Sequence, residues 1–224
     1  MPDRQKWRQA VQAESRVRMD TLFAPIYDQN WGATVDASHG RCVAQFIALC
    51  PPGAAVLDAA CGTGKYWPLL LAAGLNVSGI DHSAAMLRQA QSKHPTVPVR
   101  RLGLQELADT AVYHGLLCVD ALESVFPEDW PLVLANFRRA LRPGGALYCT
   151  VELTDPGELE RAYRAGQELG LPVLPGEVAH QGGYHFYPEL DQVRDWVSQA
   201  GFGLLDEAVG DEYHHLLLTA LDHA

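Results

Sequence analysis

From residue 55 onward the chain alternates short apolar runs with longer stretches framed by helix starts and stops, the pattern of strands and helices taken in turn. Residues 55–57 are an apolar run suited to a buried parallel strand. Residues 65–73 (KYWPLLLAA) are mostly apolar, carry Pro68 near the start and stop at Gly74, a C-cap. Residues 77–81 return as a strand, and the next helix opens at Ser83 as N-cap and ends before Pro95. Strands three and four are predicted over 97–102 and 112–119. A helix over 131–141 closes at Pro143-Gly144-Gly145, and strand five covers 146–153. Residues 203–209 and 213–221 are β-patterned around Gly210-Asp211, which predicts a terminal hairpin. Helices over 3–20 and 38–50 precede the alternation. The whole predicts an α/β fold, a mainly parallel sheet with helices on both faces.

Within this frame, Val56-Leu57-Asp58-Ala59-Ala60-Cys61-Gly62-Thr63-Gly64 followed by Val77-Ser78-Gly79-Ile80-Asp81 reads as strand, glycine turn, helix, and a strand ending in a carboxylate. A G-x-G turn alone is a weak signal, because many strand-to-helix connections use glycine only to turn. The acid makes it stronger. Asp81 stands 17 residues after Gly64, close to the roughly 20 residues that one helix and one returning strand require in a nucleotide-binding sheet.

DAACGTG with the later Asp81 resembles the class I S-adenosylmethionine-dependent methyltransferases, small-molecule branch. The resemblance continues through LLCVDALESV (116–125), NFRRALRPGG (136–145) and Ala200-Gly201-Phe202, and so covers roughly residues 20–220. It implies a Rossmann-like seven-stranded sheet with an antiparallel C-terminal strand. It also implies a methyl transfer from S-adenosylmethionine to a small organic molecule by in-line displacement. A nicotinamide-dependent oxidoreductase, the competing reading, usually shows G-x-G-x-x-G, and Trp67 occupies the third glycine's place. A protein that binds the cofactor for regulation or scaffolding without turnover is the other alternative, since fold alone does not fix function.

The resemblance implies roles residue by residue. Ala60, Cys61, Gly62 and Gly64 would let the cofactor's methionine portion approach the backbone, Asp81 would accept both ribose hydroxyls, and His82 and Met86 would border adenine. Cys118 belongs to the same set, although packing accounts for its apolar strand run better than chemistry does. Many relatives carry an adenine-binding acid after strand three, but this chain has Gly103-Leu104-Gln105. The Leu104 N–H or the Gln105 amide would take over, with Asp109 a less well placed alternative. Tyr27 and Trp31 resemble a lid whose aromatics close over the cofactor.

Acceptor chemistry is expected in residues 175–188 (PGEVAHQGGYHFYP), a segment that reads as irregular and combines His180, Tyr184, His185 and Tyr187 with glycines. His185 is a candidate base, with pocket lining and plain packing as alternatives. Glu123, just beyond strand four, is a second candidate catalytic group, weighed against an ordinary exposed loop carboxylate.

Composition narrows the remainder. The 224 residues, 48% of them hydrophobic, predict one domain (1–224) with an N-terminal helical lid (1–50) and a substrate-cap insertion (154–188). A net charge of −10 argues against a nucleic-acid partner. No run of 18 apolar residues or signal-peptide core occurs, so neither a membrane partner nor export is expected. Five cysteines without a C-x-x-C pair point to a reducing, cytoplasmic location, and the nine histidines show no zinc spacing.

Overall fold

The computed structural model describes residues 3–32, 34–180, 183–210 and 212–222. Its centre is a seven-stranded sheet built from β1 (Ala55–Ala59), β2 (Asn76–Asp81), β3 (Val99–Arg101), β4 (Tyr113–Cys118), β5 (Leu141–Glu152), β8 (Phe202–Val209) and β9 (Tyr213–Ala220). The order across the sheet is β3-β2-β1-β4-β5-β9-β8. β1 to β5 pair in parallel. β9 runs antiparallel to both β5 and β8, so a single strand opposes the other six. This is the expected Rossmann-like sheet, with the chain reversing between β1 and β4 and leaving a crevice at the strands' C-terminal ends.

Alternation along the strands feeds two cores. Leu57, Leu116, Leu147 and Leu216 point to one face, against Trp130, Leu134 and Phe137 of α5 (Trp130–Ala140) and Val193 and Val197 of α7 (Leu190–Gln199). Val56, Leu117, Tyr148 and Leu217 point to the other, against α2 (Ala37–Leu49), α3 (Trp67–Ala72) and α4 (Ala84–Lys93). The cap expected at Ser83 forms, and α2 has one at Asp36 that the sequence reading did not name. Ser83 Oγ accepts from the Met86 N–H at 3.1 Å and caps α4, while Asp36 caps α2 through the N–H groups of Ser38 and His39.

Two expectations are corrected. Strand five begins at Leu141, ahead of the Pro-Gly-Gly turn, because Leu141 already pairs with Tyr113 before the register shifts. Residues 175–188, expected to be irregular, hold a hairpin of β6 (Glu177–His180) and β7 (Gly183–Phe186), and α6 (Pro156–Glu168) precedes it within the insertion. Tyr184 and Phe186 are buried on one side of β7, whereas His185 emerges on the other, the period-two pattern of a half-buried strand.

The N-terminal helix α1 (Arg4–Arg18) lies against this hairpin, with Trp7 meeting Phe126 and Tyr184 edge-on at 5.7 and 6.1 Å. Residues 19–32 continue as short π and 3-10 turns tied to the sheet's C-terminal edge. Asp20 accepts from Ser83 Oγ and the Ala85 N–H, and Asp28 accepts from Thr63 Oγ1 and pairs with Lys93. At the far edge of the sheet, β8 carries half-exposed Leu204 and Leu205, and its register against β9 breaks between Leu204 and Asp206. Among the described residues no helix is long and apolar enough to cross a membrane.

Candidate functional site

The turn after β1 builds the floor of a first chamber. Ala60, Gly62 and Gly64 all adopt left-handed backbone, with φ of 62°, 52° and 79°. For Ala60 this conformation costs roughly 1–2 kcal/mol, a strain that must be held by the surroundings. The two glycines serve different ends. A Cβ on Gly62 would meet nothing within 4 Å, so that backbone stands open to the chamber, whereas one on Gly64 would lie 2.7 Å from the Trp67 ring. Gly62 therefore admits a ligand, and Gly64 admits Trp67 beneath the turn. Trp67 in turn donates to Asp58 at 2.8 Å, and burial, with Asp81 nearby, pushes that carboxyl up to about 7.

Asp81 ends β2 on the chamber wall. Its two oxygens accept from the N–H groups of Gly62 (2.9 Å) and Ser83 (2.7 Å), which fixes the carboxylate across the turn. Burial raises its pKa in spite of those donors. His82, Met86, Leu104 and Gln105 line the same chamber, as do Ala60 and Tyr27. The Asn136 amide donates to the carbonyls of Leu104 and Gln105 and sets the turn after β3. The Gln105 amide nitrogen donates to Asp129 at 3.3 Å, while Asp109 pairs with Arg100 outside the chamber wall. Val11, Gln12, Ser15 and Arg16 of α1 and Met19 form the roof.

A second chamber opens beside the first and shares Met19, Tyr27 and Asp120 with it. His185 faces it, with Nδ1 2.8 Å from Glu152 Oε2 and 3.2 Å from the Tyr187 hydroxyl. The bond to Glu152 raises the His185 pKa against the opposing effect of burial. Glu123 lines it too, but as a buried group, 8% exposed, and not the exposed loop carboxylate that was one expectation. Burial, with Glu152 and Asp120 nearby, pushes Glu123 up to about 8.

Several expected residues stand elsewhere. Cys118 is fully buried in the core between strand and helix and reaches neither chamber. Cys61 turns its sulfur into the opposite core, where a Cβ on Gly79 would lie 2.8 Å from it. Trp31 lines only the second chamber. Tyr184 lines the first chamber and donates to the buried Glu177 at 2.6 Å, so it does not share the second with His185. Tyr187 does not line the second chamber itself and touches it through His185 and Glu152. The side chain of His180 lies outside the described residues.

Two residues of the second chamber escaped the reading of the sequence. Asp120, the second residue after β4, has a left-handed φ of 52°, and its N–H donates to Thr150 Oγ1. His39 of α2 spans Asp36 and Asp120, with Nε2 3.1 Å from the latter. Burial opposes its charge, but Asp120 and Asp36 raise its pKa on balance. Asp120 had a signal: an acid at the C-terminal end of an apolar run, as Asp81 is. His39 had none, because its partner is 81 residues away. Among the described residues no group of three or more His, Cys, Asp or Glu is placed to hold a metal ion.

Residues 56–145 match the family model described as a methyltransferase domain. The malonyl-[acyl-carrier protein] O-methyltransferase of Pectobacterium atrosepticum is 32% identical over 125 residues, which cover 54% of this chain and 48% of that protein. The chain thus spans about half the length of that curated relative. Among solved structures, the 1,6-didemethyltoxoflavin-N1-methyltransferase of Burkholderia thailandensis superposes with a TM-score of 0.71 at 19% identity, covering 99% of this chain and 92% of that one. The magnesium protoporphyrin IX methyltransferase of Synechocystis gives 0.70 at 18% identity, covering 93% of this chain and 99% of that one. The sequence match runs from β1 into the start of β5 and includes the glycine turn and Asp81, so residues 56–145 carry the sequence pattern of a methyltransferase domain, and the structural likeness extends the same fold over the remaining strands.

Proposed function

We propose that this chain transfers the methyl group of S-adenosylmethionine to a small organic molecule. The observation that carries the reading is Asp81, a buried carboxylate fixed across an open glycine turn in a chamber that joins a second one. The residues fit the cofactor. Each Asp81 oxygen receives one backbone N–H and keeps a lone pair for a ribose hydroxyl. Gly62 leaves room for a ligand at the backbone, and the buried His82 Nε2 has no partner among the described residues. Met86, Leu104 and Gln105 offer an apolar bed and an amide for adenine. The cofactors bound in the two solved neighbours' family support the same donor, since the Burkholderia and Synechocystis enzymes carry S-adenosylhomocysteine.

The cofactor supplies an activated methyl group on a positively charged sulfur. The chain's part is to hold an acceptor in line, exclude water and take up a proton where the acceptor loses one. Tyr27 and Asp120 stand where the chambers meet, and α1 with residues 19–32 roofs the first. We read the N-terminal 50 residues as a lid on one methyltransferase domain (1–224) and residues 154–188 as the acceptor's cap, His185 being the cap residue that faces the second chamber. All five cysteines are free thiols, consistent with a cytoplasmic protein.

Calorimetry separates this from the alternatives. S-adenosylmethionine and S-adenosylhomocysteine should bind, NAD should not, and transfer of labelled methyl to an acceptor should distinguish an enzyme from a regulatory cofactor-binding protein. Tighter binding of NAD would overturn the proposal.

His185 provides a pH test. Because its pKa is raised, the ring is protonated and unable to accept a proton until the pH passes above the ordinary 6.5. Turnover is therefore expected to climb with pH above that point. Where His185 takes the proton, His185→Asn removes this limb of the kcat profile and leaves S-adenosylhomocysteine affinity unchanged; where Glu123 takes it, the limb survives the substitution. A retained limb would assign the proton transfer to another group.

A further inference from the structure

We propose that the second chamber recognises a methyl acceptor through a basic amine, whose N–H is received by Glu123 and whose nitrogen is the methylated atom. This rests on the methyltransferase reading above and specifies its substrate class. Three observations on the chamber carry it.

The first is an unanswered acceptor. Glu123 is buried, and its Oε2 has no hydrogen-bond partner among the described residues. A buried polar oxygen left unpaired costs about 1–3 kcal/mol, so such groups point to something missing. The neighbouring acids are already engaged: Glu152 by His185, Asp120 by His39 on one oxygen, and Asp36 by Ser38 and His39. Glu123 alone of these awaits a donor.

The second is sign. Asp120, Glu123, Glu152 and Glu212 line the chamber, and Arg41 and Lys65 are the lysine and arginine side chains facing them among the described residues. His39 and His185 add charge only when protonated, and each is held by a carboxylate. Such a surface attracts a cation and repels a carboxylate. The third is the chamber's aromatic lining. Phe23 and Tyr27 both pack on Trp31, with ring centroids 6.2 and 5.7 Å away, and all three line the chamber. Aromatic rings and carboxylates lining one chamber suit an organic cation on an apolar body.

The step balances without a further reagent. The bound ammonium gives one proton to the ionised Glu123, its freed lone pair forms the N–C bond, and the C–S bond breaks with its pair kept on sulfur. The products are a methylated ammonium and the neutral thioether, and Glu123 returns its proton to water. With its pKa pushed up to about 8, Glu123 accepts an amine's proton far better than an ordinary carboxylate.

The test uses the full chain saturated with S-adenosylhomocysteine and sets of probes that share a skeleton: tryptamine, tryptophol and indole-3-acetate, and phenethylamine, phenethyl alcohol and phenylacetate. Affinities by calorimetry should favour at least one amine tenfold or more over its alcohol, with the acids weakest. Glu123→Gln should shrink that preference below threefold while S-adenosylhomocysteine affinity holds. Asp120→Asn, which tolerates the left-handed backbone, should weaken the amine as well and serves if the first variant does not fold. With S-adenosylmethionine, mass spectrometry of the product should place the label on nitrogen. An acid or alcohol binding as tightly as its amine, an amine preference that survives both substitutions, or no saturable amine overturns the inference. Failure of wild-type protein to bind S-adenosylhomocysteine instead overturns the methyltransferase reading on which it rests.

Discussion

Asp81→Ala is expected to weaken S-adenosylmethionine and S-adenosylhomocysteine binding by a hundredfold or more. A hydrogen bond to a charged acceptor contributes about 1.5–3 kcal/mol, and two ribose hydroxyls lost together amount to about 3–6 kcal/mol, where about 1.4 kcal/mol is a factor of ten. The same substitution strands the N–H groups of Gly62 and Ser83, so the turn loosens and part of the loss is loss of shape. Asp81→Asn separates the two effects, because its amide oxygen still accepts while the amide nitrogen faces a donor. Circular dichroism establishes that each variant is folded, and calorimetry gives the affinity. Unchanged affinity in folded Asp81→Ala would remove the cofactor assignment. Acid should act in the same direction: since burial raises the Asp81 pKa, affinity should begin to fall on acidification above the ordinary carboxylate value of 3.8.

Arg4→Met should cost about 3 kcal/mol of stability and speed release of the cofactor. Arg4 makes bonds of 2.7 and 2.9 Å to Glu177, which is wholly buried and also receives the Tyr184 hydroxyl and the Leu174 N–H. Removing one partner of a buried pair typically costs about 3–5 kcal/mol, and the low end applies because Arg4 keeps 21% of its side chain exposed. At this chain length that corresponds to a drop in Tm on the order of 10 °C. The kinetic effect follows from position. Arg4 and Arg8 bind α1 to Glu128, Asp129 and Glu177, and the same helix sends Val11, Gln12, Ser15 and Arg16 into the roof of the first chamber. Pairing Arg4→Met with Glu177→Gln should recover most of the stability, since no buried charge remains unpaired. Urea unfolding measures the first effect and stopped-flow displacement of S-adenosylhomocysteine the second. Equal stability of wild type and Arg4→Met would show that water replaces the guanidinium.

What could be read from the sequence was what adjacent residues settle among themselves. The turn after β1 and Asp81 form one strand–turn–helix–strand unit, so spacing alone placed them together. The helix caps at Ser83 and Asp36 are equally local. The second chamber is not local. His39 meets Asp120 across the sheet edge, and Glu123 is buried by the hairpin and β5, facts that exist only after the sheet is assembled. The residues from 183 to 187 show the intermediate case. Their mixture of histidine and aromatics suggested one lining surface, but a strand period sends Tyr184 and His185 to opposite sides, so proximity in sequence separated them in space. Cys118 failed for the same reason as a lone apolar strand residue generally does: neighbours on either side give no hint of which core it fills.

The broken register of β8 bears on how this molecule behaves in company. An outermost strand offers a row of unpaired backbone groups to any passing chain, and here the row carries half-exposed leucines that would reward such docking. Leu205 is the extra residue opposite β9, because Leu204 pairs with Leu218 and Asp206 with Leu217. That one insertion bends the edge and twists its donors out of line, so a second copy laid alongside finds no continuous ladder. Asp206 and Glu207 directly after it place charge where a growing sheet would have to bury it. The sheet therefore stops at seven strands for a reason written into its last one, and crowding at high concentration meets a frayed margin in place of a template.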